Sequence, residues 1–399
     1  MVKDNSVIIV GAGSVGLATA VGLAQAGISV RVIETGISAP TGARDTVYHW
    51  SILGGFERLG VLEECRAEAL RTDGWTYAVR RTGERIHVGL AAIADDVPHP
   101  YNLHVGQQTV TRAFLSQLER HGGVVDWGTT VTGIAQDSHG VTVLAEGGSG
   151  AQTYRADWVV GADGARSIVR RDLGLALAGL TWPDRFVATN LYHDFGADGF
   201  DIAGYQIDPS LGAVVAQVDA RGLWRYIFAE SRLLPEETID RRVDSVLRQV
   251  LPEGVEARID GSHPYRIHQR SAESFRVGRA LLVGDAAHLT NPTLTLGMTS
   301  GLADAYSLIE ALSAVIVDHH DDEILDRYSE VRRENFWNYT SPLSTAAKDL
   351  VFPVDEAAQR DEIDLLRRTV ANTDALRRYL LHMGSCVSQT LLGGTQRRP

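Results

Sequence analysis

Three glycines near the amino terminus have the spacing of a nucleotide phosphate site. Gly11, Gly13 and Gly16 form a G-x-G-x-x-G pattern, and Glu34 ends the apolar run that follows. In such a site the glycines permit a tight turn, close backbone approach to a pyrophosphate, and close packing of a helix on a strand. A carboxylate placed like that of Glu34 accepts both hydroxyls of an adenosine ribose. The pattern predicts a dinucleotide site and leaves FAD and NAD open.

Two further acidic residues follow apolar runs. Residues 157–170 read DWVVGADGARSIVR and residues 279–288 read RALLVGDAAH, so that Asp163 and Asp285 each end a predicted buried strand. Open α/β sheets bind ligands beyond the carboxyl ends of their strands. Both carboxylates are therefore expected to face a ligand at the same edge of the sheet as the glycines.

The elements that must position the glycines are a strand, a helix and a second strand. Residues 7–10 are a β-branched run typical of a strand buried on both faces, residues 14–26 have helical apolar spacing, and residues 28–33 alternate. This order predicts a βαβ unit in which the amino terminus of the helix faces the phosphates.

Taken together, these motifs resemble the FAD-dependent aromatic hydroxylases of the para-hydroxybenzoate hydroxylase type, the single-component flavin monooxygenases. The resemblance extends from residue 6 to about residue 300 and keeps the order of the motifs. It implies FAD as the resident cofactor and NADPH or NADH as a transient reductant. The residues that it assigns to the cofactor are Gly11, Gly13, Gly16, Glu34, Arg44, Gln107, Asp163, Asp285, Pro292, Gly297 and Met298.

Within that set, the resemblance also implies individual roles. Asp285 would bind the ribityl chain, and Gln107 would lie along the flavin. The D-G-x-x-S-x-x-R motif that begins at Asp163 is associated with both FAD and the nicotinamide. Arg44 would contact the cofactor.

The loop after Pro292 departs from the family pattern. The family usually has a glycine-rich loop that faces the pyrimidine edge of the flavin and often ends in glycine, an apolar residue and asparagine. Here residues 293–301 read TLTLGMTSG, so Leu294 replaces a usual glycine and Thr299 replaces the asparagine. These bulkier residues predict altered flavin mobility or less space beside its reactive edge.

The expected fold class is α/β, with a Rossmann-like FAD-binding domain, an inserted mixed β-sheet substrate domain and a helical C-terminal region. The FAD-binding domain is predicted to be discontinuous and to comprise residues 1–72, 102–179 and 272–322. Residues 73–101 and 180–271 would form the β-rich substrate domain, because short alternating runs between Gly, Pro and Asp recur there. Residues 323–399 would be helical.

The resemblance implies an oxygen-transfer reaction. Reduced FAD reacts with O2 to give a C4a-hydroperoxide whose distal oxygen is electrophilic, so the substrate is expected to be an electron-rich aromatic, heteroaromatic or polycyclic small molecule. A base or hydrogen-bonding group near the flavin would activate it. His49 and Tyr48 are the first candidates, since they follow Arg44 closely.

Residues 223–228 provide two further candidates for the substrate pocket. Alternation along this predicted strand places Tyr226 on one face and Arg225 on the other, and the sequence does not decide which face lines the pocket. Both residues therefore remain candidates. Tyr205 and Gln217 are weaker ones.

Composition excludes several function classes. The 38 basic and 50 acidic residues give a net charge of -12, which opposes nucleic-acid binding and favours a monomer or homodimer. Two cysteines cannot form a four-thiolate metal site and indicate a reducing, cytoplasmic compartment; no metal site is expected. The uncharged run 6–30 is long enough to span a membrane, but its five glycines favour the βαβ unit.

Other reactions on the same flavoprotein scaffold remain open: epoxidation, Baeyer–Villiger oxidation, reduction and a non-redox cyclisation. A simple NAD-dependent dehydrogenase would leave Asp163 and Asp285 at two strand ends without a purpose. A flavin-dependent halogenase would require a catalytic lysine and a Trp-x-Trp-x-Ile-Pro segment. The chain has only Lys3 and Lys348 and lacks that segment.

Overall fold

The computed structural model describes residues 5–39, 45–219, 221–387 and 390–392. These residues form two large sheets and one small sheet, with helices packed around them and a helical C-terminal region. The predicted α/β fold class is confirmed.

The strands are numbered along the chain. They are β1 (Asn5–Val10), β2 (Val30–Ile33), β3 (Asp45–Tyr48), β4 (Leu70–Thr72), β5 (Gly74–Val79), β6 (Glu84–Gly89), β7 (Asn102–Gly106), β8 (Val124–Asp126), β9 (Thr130–Asp137), β10 (Gly140–Gly147), β11 (Gly150–Gly161), β12 (Leu177–Tyr192), β13 (Ala203–Ile207), β14 (Ala213–Gln217), β15 (Leu223–Ser231), β16 (Arg258–Ala272), β17 (Arg276–Val277), β18 (Ala280–Leu282) and β19 (His288–Leu289).

The helices are numbered in the same way. They are α1 (Ser14–Gln25), α2 (Trp50–Arg58), α3 (Leu62–Glu68), α4 (Gln107–Arg120), α5 (Ile168–Asp172), α6 (Ile239–Val250), α7 (Leu296–Ile316), α8 (Glu323–Asn335), α9 (Ser341–Val351), α10 (Glu356–Val370) and α11 (Thr373–Met383). A π-helical turn, Phe336–Thr340, joins α8 to α9. Among the described residues, no helix combines the length and the apolar character needed to cross a membrane.

The first large sheet contains the predicted βαβ unit, β1-α1-β2. Its strand order is β17-β18-β11-β1-β2-β8, and β1 pairs in parallel with both β11 and β2. Residues 7–10 of β1 are buried, as expected for a strand covered on both faces. The parallel arrangement brings the carboxyl ends of β1, β11 and β18 to one edge of the sheet, and the three sequence motifs follow those strands.

The second large sheet has the order β19-β16-β12-β15-β14-β13-β5-β6 and is mixed, since β13 pairs in parallel with β5. Its short strands β13, β14 and β15 agree with the predicted β-rich segments. The long strands β12 and β16 have no regular alternation in the sequence. Their register shifts between Thr181 and Arg185, around Pro183, and again between Asn190 and Leu191.

The small third sheet, β3-β7-β4, carries the residues that lead into α2 and α4. Val47 of β3 faces His104 of β7, and Tyr48 faces Leu103. Because side chains alternate along a strand, these two cross-strand pairs lie on opposite faces of the small sheet.

Candidate active site

The glycines of the first motif shape the turn between β1 and α1. Gly11 has a φ of +107°, and a Cβ on it would lie 2.4 Å from the carbonyl oxygen of Ala162. A Cβ on Gly16 would lie 2.2 Å from the carbonyl oxygen of Gly11. A Cβ on Gly13 would meet nothing within 4 Å. Gly11 and Gly16 therefore permit packing inside the protein, whereas Gly13 leaves space on the ligand side.

The second and third motifs are tied to each other by a buried arginine. Arg170 donates from one guanidinium nitrogen to the carbonyl oxygen of Ala286 at 2.9 Å and from another to that of Ala165 at 2.9 Å. Ser167 caps α5 by accepting the amide of Arg170 at 3.0 Å. These bonds hold the turn after β11 against the turn after β18, which contains Asp285.

Asp163 lies in the turn between β11 and α5 and is largely buried. Its Oδ2 accepts the amide of Ile168 at 2.7 Å, and its Oδ1 has no hydrogen-bond partner among the described residues. Burial raises the pKa of this carboxyl, against the opposing effect of its hydrogen bonds with Ser167 and backbone amides. A buried oxygen without a partner is suited to a ligand hydroxyl.

A cavity of about 520 Å³ opens where these turns meet the second large sheet. Several residues assigned to the cofactor in the sequence line it: Gly13, Gln107, Asp285, Pro292, Gly297 and Met298. Side chains of β13, β14 and β15 line the other side: Tyr205, Val214, Ala216, Gln217, Arg225 and Ile227. The cavity is thus shared by the two regions that the sequence predicted for cofactor and substrate.

The Arg225 face of β15 lines this cavity, and the Tyr226 face does not. Tyr226 packs with Val243 and Leu247 of α6 on the opposite face of the sheet, and its hydroxyl accepts a hydrogen bond from Nε2 of Gln206 at 3.1 Å. Arg225 Nε donates to Oδ1 of Asn190 on the neighbouring strand at 2.9 Å. The geometry therefore favours Arg225 over Tyr226 for contact with substrate, because α6 covers the Tyr226 face.

His49 and Tyr48, the predicted base candidates, lie behind the cavity wall. His49 Nε2 lies 2.8 Å from the carbonyl oxygen of Leu294 and 3.0 Å from Oγ1 of Thr295. Burial lowers the pKa of His49 to about 4, although the bond to the Leu294 carbonyl acts to raise it. The ring of Tyr48 is fully buried against Phe56 at a centroid distance of 5.2 Å. This arrangement suits His49 to positioning the loop at 292–298.

The side chains by which that loop departs from the family pattern lie outside the cavity lining. Leu294 is buried in an apolar cluster with Trp50, Leu296 and Met383. Thr299 is buried within the first turn of α7. The expected narrowing of the cavity by these residues is therefore absent, since the bulk of Leu294 is accommodated by the C-terminal helices.

Glu34, another cofactor candidate, lies away from the cavity lining. Both carboxylate oxygens of Glu34 accept backbone amides, Oε2 from Ala12 and Oε1 from Gly36, each at 2.7 Å. The carboxylate thus lies beside the glycine turn, next to the position expected for a ribose. Arg44 lies outside the described residues.

Sequence reasoning missed several polar residues of the cavity wall, among them His104 and Thr293. Both are buried, at 4% and 0% exposure, and His104 Nε2 and Thr293 Oγ1 have no hydrogen-bond partner among the described residues. The order Leu103, His104, Val105 in the sequence was a usable signal for His104, because a strand with this pattern places the histidine on the opposite face from its apolar neighbours.

A second cavity, of about 1090 Å³, lies beside the first and is strongly basic. Tyr265 lines both cavities. The arginines that line the second cavity are Arg166, Arg170, Arg171, Arg185, Arg232, Arg266 and Arg270. Arg185 is paired with Glu230 at 2.7 Å and with Glu236 at 3.0 Å. The positive charge of the other six arginines makes this cavity suitable for an anionic ligand.

The residues of the first cavity fit FAD. The glycine turn and the amino terminus of α1 offer backbone amides and open space for a pyrophosphate. Asp285 lies along the cavity wall, and the unpartnered atoms of Asp163, His104 and Thr293 are available to a polar ligand. No group of three or more metal-binding side chains is assembled in the parts of the chain that the structure describes.

Comparison with known proteins agrees with this site. The sequence model of the FAD binding domain family matches residues 4–341. The chain is 38% identical to 6-hydroxy-3-succinoylpyridine 3-monooxygenase of Pseudomonas putida over 380 residues, which cover 94% of this chain and 97% of that protein. It is 35% identical to para-nitrophenol 4-monooxygenase of Pseudomonas sp. strain WBC-3, covering 95% of each.

A solved structure shares the whole fold. The crystal structure of p-nitrophenol 4-monooxygenase from Pseudomonas putida superposes with a TM-score of 0.93 at 35% identity, covering 98% of this chain and 100% of that one. The chain therefore belongs to the FAD-dependent aromatic monooxygenases. The family, the FAD cofactor and the reaction class predicted from the sequence are confirmed.

Proposed function

We propose that this enzyme oxygenates a para-substituted hydroxyaromatic or hydroxypyridine at the ring carbon opposite the hydroxyl. The new carbon–oxygen bond replaces the bond to the substituent, which leaves with its electron pair (a nitro group leaves as nitrite). The ring hydroxyl loses its proton as the ring becomes a quinone, and NADPH or NADH reduces the quinone to the dihydroxy product. The names of its two relatives support this substrate class. Position 4 of para-nitrophenol and position 3 of 6-hydroxy-3-succinoylpyridine are each para to a hydroxyl and already carry a substituent. The observation that carries the proposal is the composition of the cavity wall, which has apolar strand side chains and one arginine.

The strand side chains of the cavity can hold such a ring. Val214, Ala216 and Ile227 provide an apolar wall for its face. Arg225 is fixed against Asn190 and provides a cationic donor for an acceptor substituent such as a nitro or carboxyl oxygen. The ring hydroxyl would then lie toward the opposite end of the cavity.

The cavity tyrosines act as donors of hydrogen bonds, not as bases. Tyr205 is stacked on Tyr77 at 4.8 Å, and burial raises the pKa of Tyr205, further increased by the nearby Tyr379. Burial likewise raises the pKa of Tyr265, against the opposing effect of Arg225. Both hydroxyls therefore keep their protons at neutral pH. Bound FAD, once reduced by NADPH or NADH, supplies the electrophilic oxygen from O2.

The roles of the individual cofactor residues are part of the same proposal. Gly13 leaves room for the pyrophosphate, Glu34 accepts the ribose hydroxyls, Asp163 and Asp285 accept hydroxyls of the cofactor, and Gln107 lies along the flavin. The remaining assigned residues, which shape the surrounding turns or contact the cofactor, are Gly11, Gly16, Arg44, Pro292, Gly297 and Met298.

The substrate class is tested by anaerobic reduction of the FAD-loaded enzyme, followed by turnover with ¹⁸O2. Para-substituted phenols and 5-substituted 2-hydroxypyridines should accelerate the bleaching of the flavin by NADPH or NADH, and their meta isomers should not. The label should appear on the carbon para to the original hydroxyl. Label at an unsubstituted ortho carbon would refute the proposed position, and a flavin that neither nicotinamide reduces with any ring would favour the non-redox cyclisation.

A matched pair of variants tests the orientation of β15. Arg225→Gln should raise KM for an acidic para-substituted phenol by about 10- to 100-fold, because one charge-assisted hydrogen bond is lost. Tyr226→Phe should leave KM unchanged, since its hydroxyl bonds within the sheet. Equal changes in KM for the two variants would contradict the assignment of the Arg225 face to substrate.

We also propose that the reductant docks in the basic cavity and that NADPH is preferred to NADH. The support is the density of arginines beside the D-G-x-x-S-x-x-R motif and the shared residue Tyr265. Arg266→Gln and Arg270→Gln should each raise the concentration of NADPH needed for half-maximal flavin reduction by about tenfold or more. Arg120→Gln, at the exposed end of α4, is the control. An unchanged NADPH dependence in both cavity variants would exclude this docking site.

The remaining assignments concern the whole molecule. We propose residues 1–72, 102–179 and 272–322 as the FAD-binding domain, 73–101 and 180–271 as the substrate domain, and 323–399 as the helical region. A cytoplasmic monomer or homodimer without a nucleic-acid partner agrees with the net charge of -12. Sedimentation of the FAD-loaded enzyme measures the oligomeric state directly.

A further inference from the structure

His104 combines a place on the cavity wall with a buried polar atom that has no partner among the described residues. It lies in the middle of β7 opposite Val47, and both side chains line the cavity. Its strand neighbours Leu103 and Val105 belong to the apolar core on the other face of the small sheet. The histidine is 4% exposed, and its Nε2 has no hydrogen-bond partner in the described part of the chain.

The surroundings of His104 keep its imidazole neutral. Burial lowers the pKa of His104 to about 3, and the neighbouring His49 lowers it further in the same direction. A neutral imidazole has one donor and one acceptor nitrogen. A buried polar atom without a partner is unfavourable, so a ligand group that pairs with Nε2 would gain this interaction on binding.

The position of His104 indicates which ligand would pair with its Nε2. The adjacent His49 bonds the carbonyl oxygen of Leu294 and the hydroxyl of Thr295, so His104 lies at the edge of the cavity formed by the loop at 292–298. β7 continues directly into Gln107, which also lines the cavity. The candidate substrate contacts, including Arg225, come from the other large sheet.

We propose that Nε2 of His104 forms a hydrogen bond with the polar pyrimidine edge of bound FAD and thereby positions the flavin and sets its reduction potential. This inference rests on the proposed placement of FAD in the cavity. It concerns the cofactor, so it is tested without substrate and without turnover.

The experiment compares three variants of His104 by FAD affinity and by the midpoint potential of the bound flavin. His104→Phe keeps a ring and removes the polar atoms. Gln and Asn carry the same amide, but only Gln extends it to the position of Nε2. We expect His104→Phe and His104→Asn to weaken FAD binding about tenfold and to shift the reduction equilibrium about tenfold, which is about 30 mV for a two-electron couple. His104→Gln should recover most of both effects.

Two controls make the result specific. His121→Phe, on an exposed histidine at the end of α4, should change neither FAD affinity nor potential. Gly13→Val should fold and lose FAD, because its side chain would occupy ligand space; normal FAD affinity in that variant would refute the placement of FAD, separately from the role of His104. Wild-type affinity and potential in a folded His104→Phe variant, with only substrate affinity changed, would overturn the flavin contact.

A measurement on the unmutated protein covers the case in which His104→Phe does not fold. In ¹⁵N-histidine-labelled protein, with His104 assigned by comparison with His104→Gln, addition of FAD should shift the Nε2 resonance. An Nε2 resonance that FAD leaves unchanged would overturn the proposal.

Discussion

Two groups of buried residues, each containing a histidine, adjoin the segment 284–298, and they differ in their hydrogen-bond partners. On one side, His288 Nε2 lies 2.8 Å from Oδ2 of Asp304, whose Oδ1 accepts Nε of Arg332 at 2.7 Å. On the other side, His49 and His104 have no carboxylate partner among the described residues, and the pKa of each is lowered mainly by burial. The first group is a network of charges, and the second is a pair of neutral rings.

The difference follows from what the neighbouring helices supply. Asp304 of α7 also accepts the amide of Gly284 at 3.0 Å, and Arg332 of α8 donates to the carbonyl oxygens of Ser300 at 3.1 Å and Cys386 at 2.9 Å. This network joins the turn at Asp285 to the C-terminal segment. In the small sheet, the strand partners of His104 are the apolar residues Val47 and Leu70. A complete charge network fixes structure, whereas a neutral polar atom at a cavity wall remains available to a ligand.

Removal of the carboxylate should have the largest effect on stability. Asp304→Asn leaves Arg332 buried without its counter-charge, which we expect to lower the free energy of unfolding by about 3–5 kcal/mol. Denaturant titration of the FAD-free protein measures this. FAD affinity should fall as well, because asparagine has one acceptor oxygen and cannot serve both Arg332 and the amide of Gly284.

Two further variants sharpen that prediction. Asp326→Asn breaks an ion pair with Arg276, and the side chain of Asp326 is 65% exposed. This variant should lower the free energy of unfolding by at most about 1 kcal/mol. The double variant Asp304→Leu with Arg332→Met removes both charges and should recover much of the loss. If Asp304→Asn lowers the free energy of unfolding no more than Asp326→Asn does, the charge network does not stabilise the turn at Asp285.

Mildly acidic pH should lower the stability of the folded protein through the neutral histidines, of which His104 is the clearest case. The lowered pKa of His104 means that the folded protein binds fewer protons than the unfolded chain below about pH 6.5, so stability falls as the pH decreases from 6.5 toward the folded pKa. At pH 5 this one residue should account for about 2 kcal/mol of the loss. The measurement is the difference in unfolding free energy between pH 7 and pH 5, in wild type and in His104→Gln.

The variant should lose less stability on acidification than wild type, because the unfolded chain no longer gains a proton at this position. His121→Gln, at an exposed position, should keep the wild-type pH dependence. Identical pH dependence in wild type and His104→Gln would show that His104 has the same pKa in the folded and the unfolded protein, and that its burial does not keep it neutral.

The geometry of the turns to which we assign the cofactor was largely predictable from the sequence, because its requirements are local and concern the backbone. Gly11 has a positive φ and its α-carbon faces a carbonyl oxygen, so no other residue fits without strain. Strand ends and turns place Asp163 and Asp285 in the same way. These features depend on a few consecutive residues and on the parallel pairing of the strands.

The strand side of the cavity, to which we assign the substrate, depends on packing between distant segments, which alternation alone does not decide. The pattern of β15 separates Arg225 from Tyr226, but only the packing of α6 on the Tyr226 face shows which of them lines the cavity. Likewise, Tyr48 and His49 adjoin the site in sequence, while the pairing of β3 with β7 brings Val47 and His104 to the cavity instead. Which face of a strand lines the cavity is therefore determined by the helix or strand that packs against it, and the sequence of the strand itself does not show this.

The smallest expected effect compares two threonines of the loop. Thr295→Val removes a hydroxyl 3.0 Å from His49 Nε2 and should lower the free energy of unfolding by about 1 kcal/mol. Thr293→Val removes a buried hydroxyl that has no partner among the described residues, so the FAD-free protein should be unchanged or slightly more stable. If Thr293 serves the ligand, its variant should weaken FAD or substrate binding, whereas Thr295→Val should act mainly through stability. Equal destabilisation of the FAD-free protein by both variants would mean that Thr293 is bonded within the protein, and that His104 is the stronger candidate for a ligand contact at this edge of the cavity.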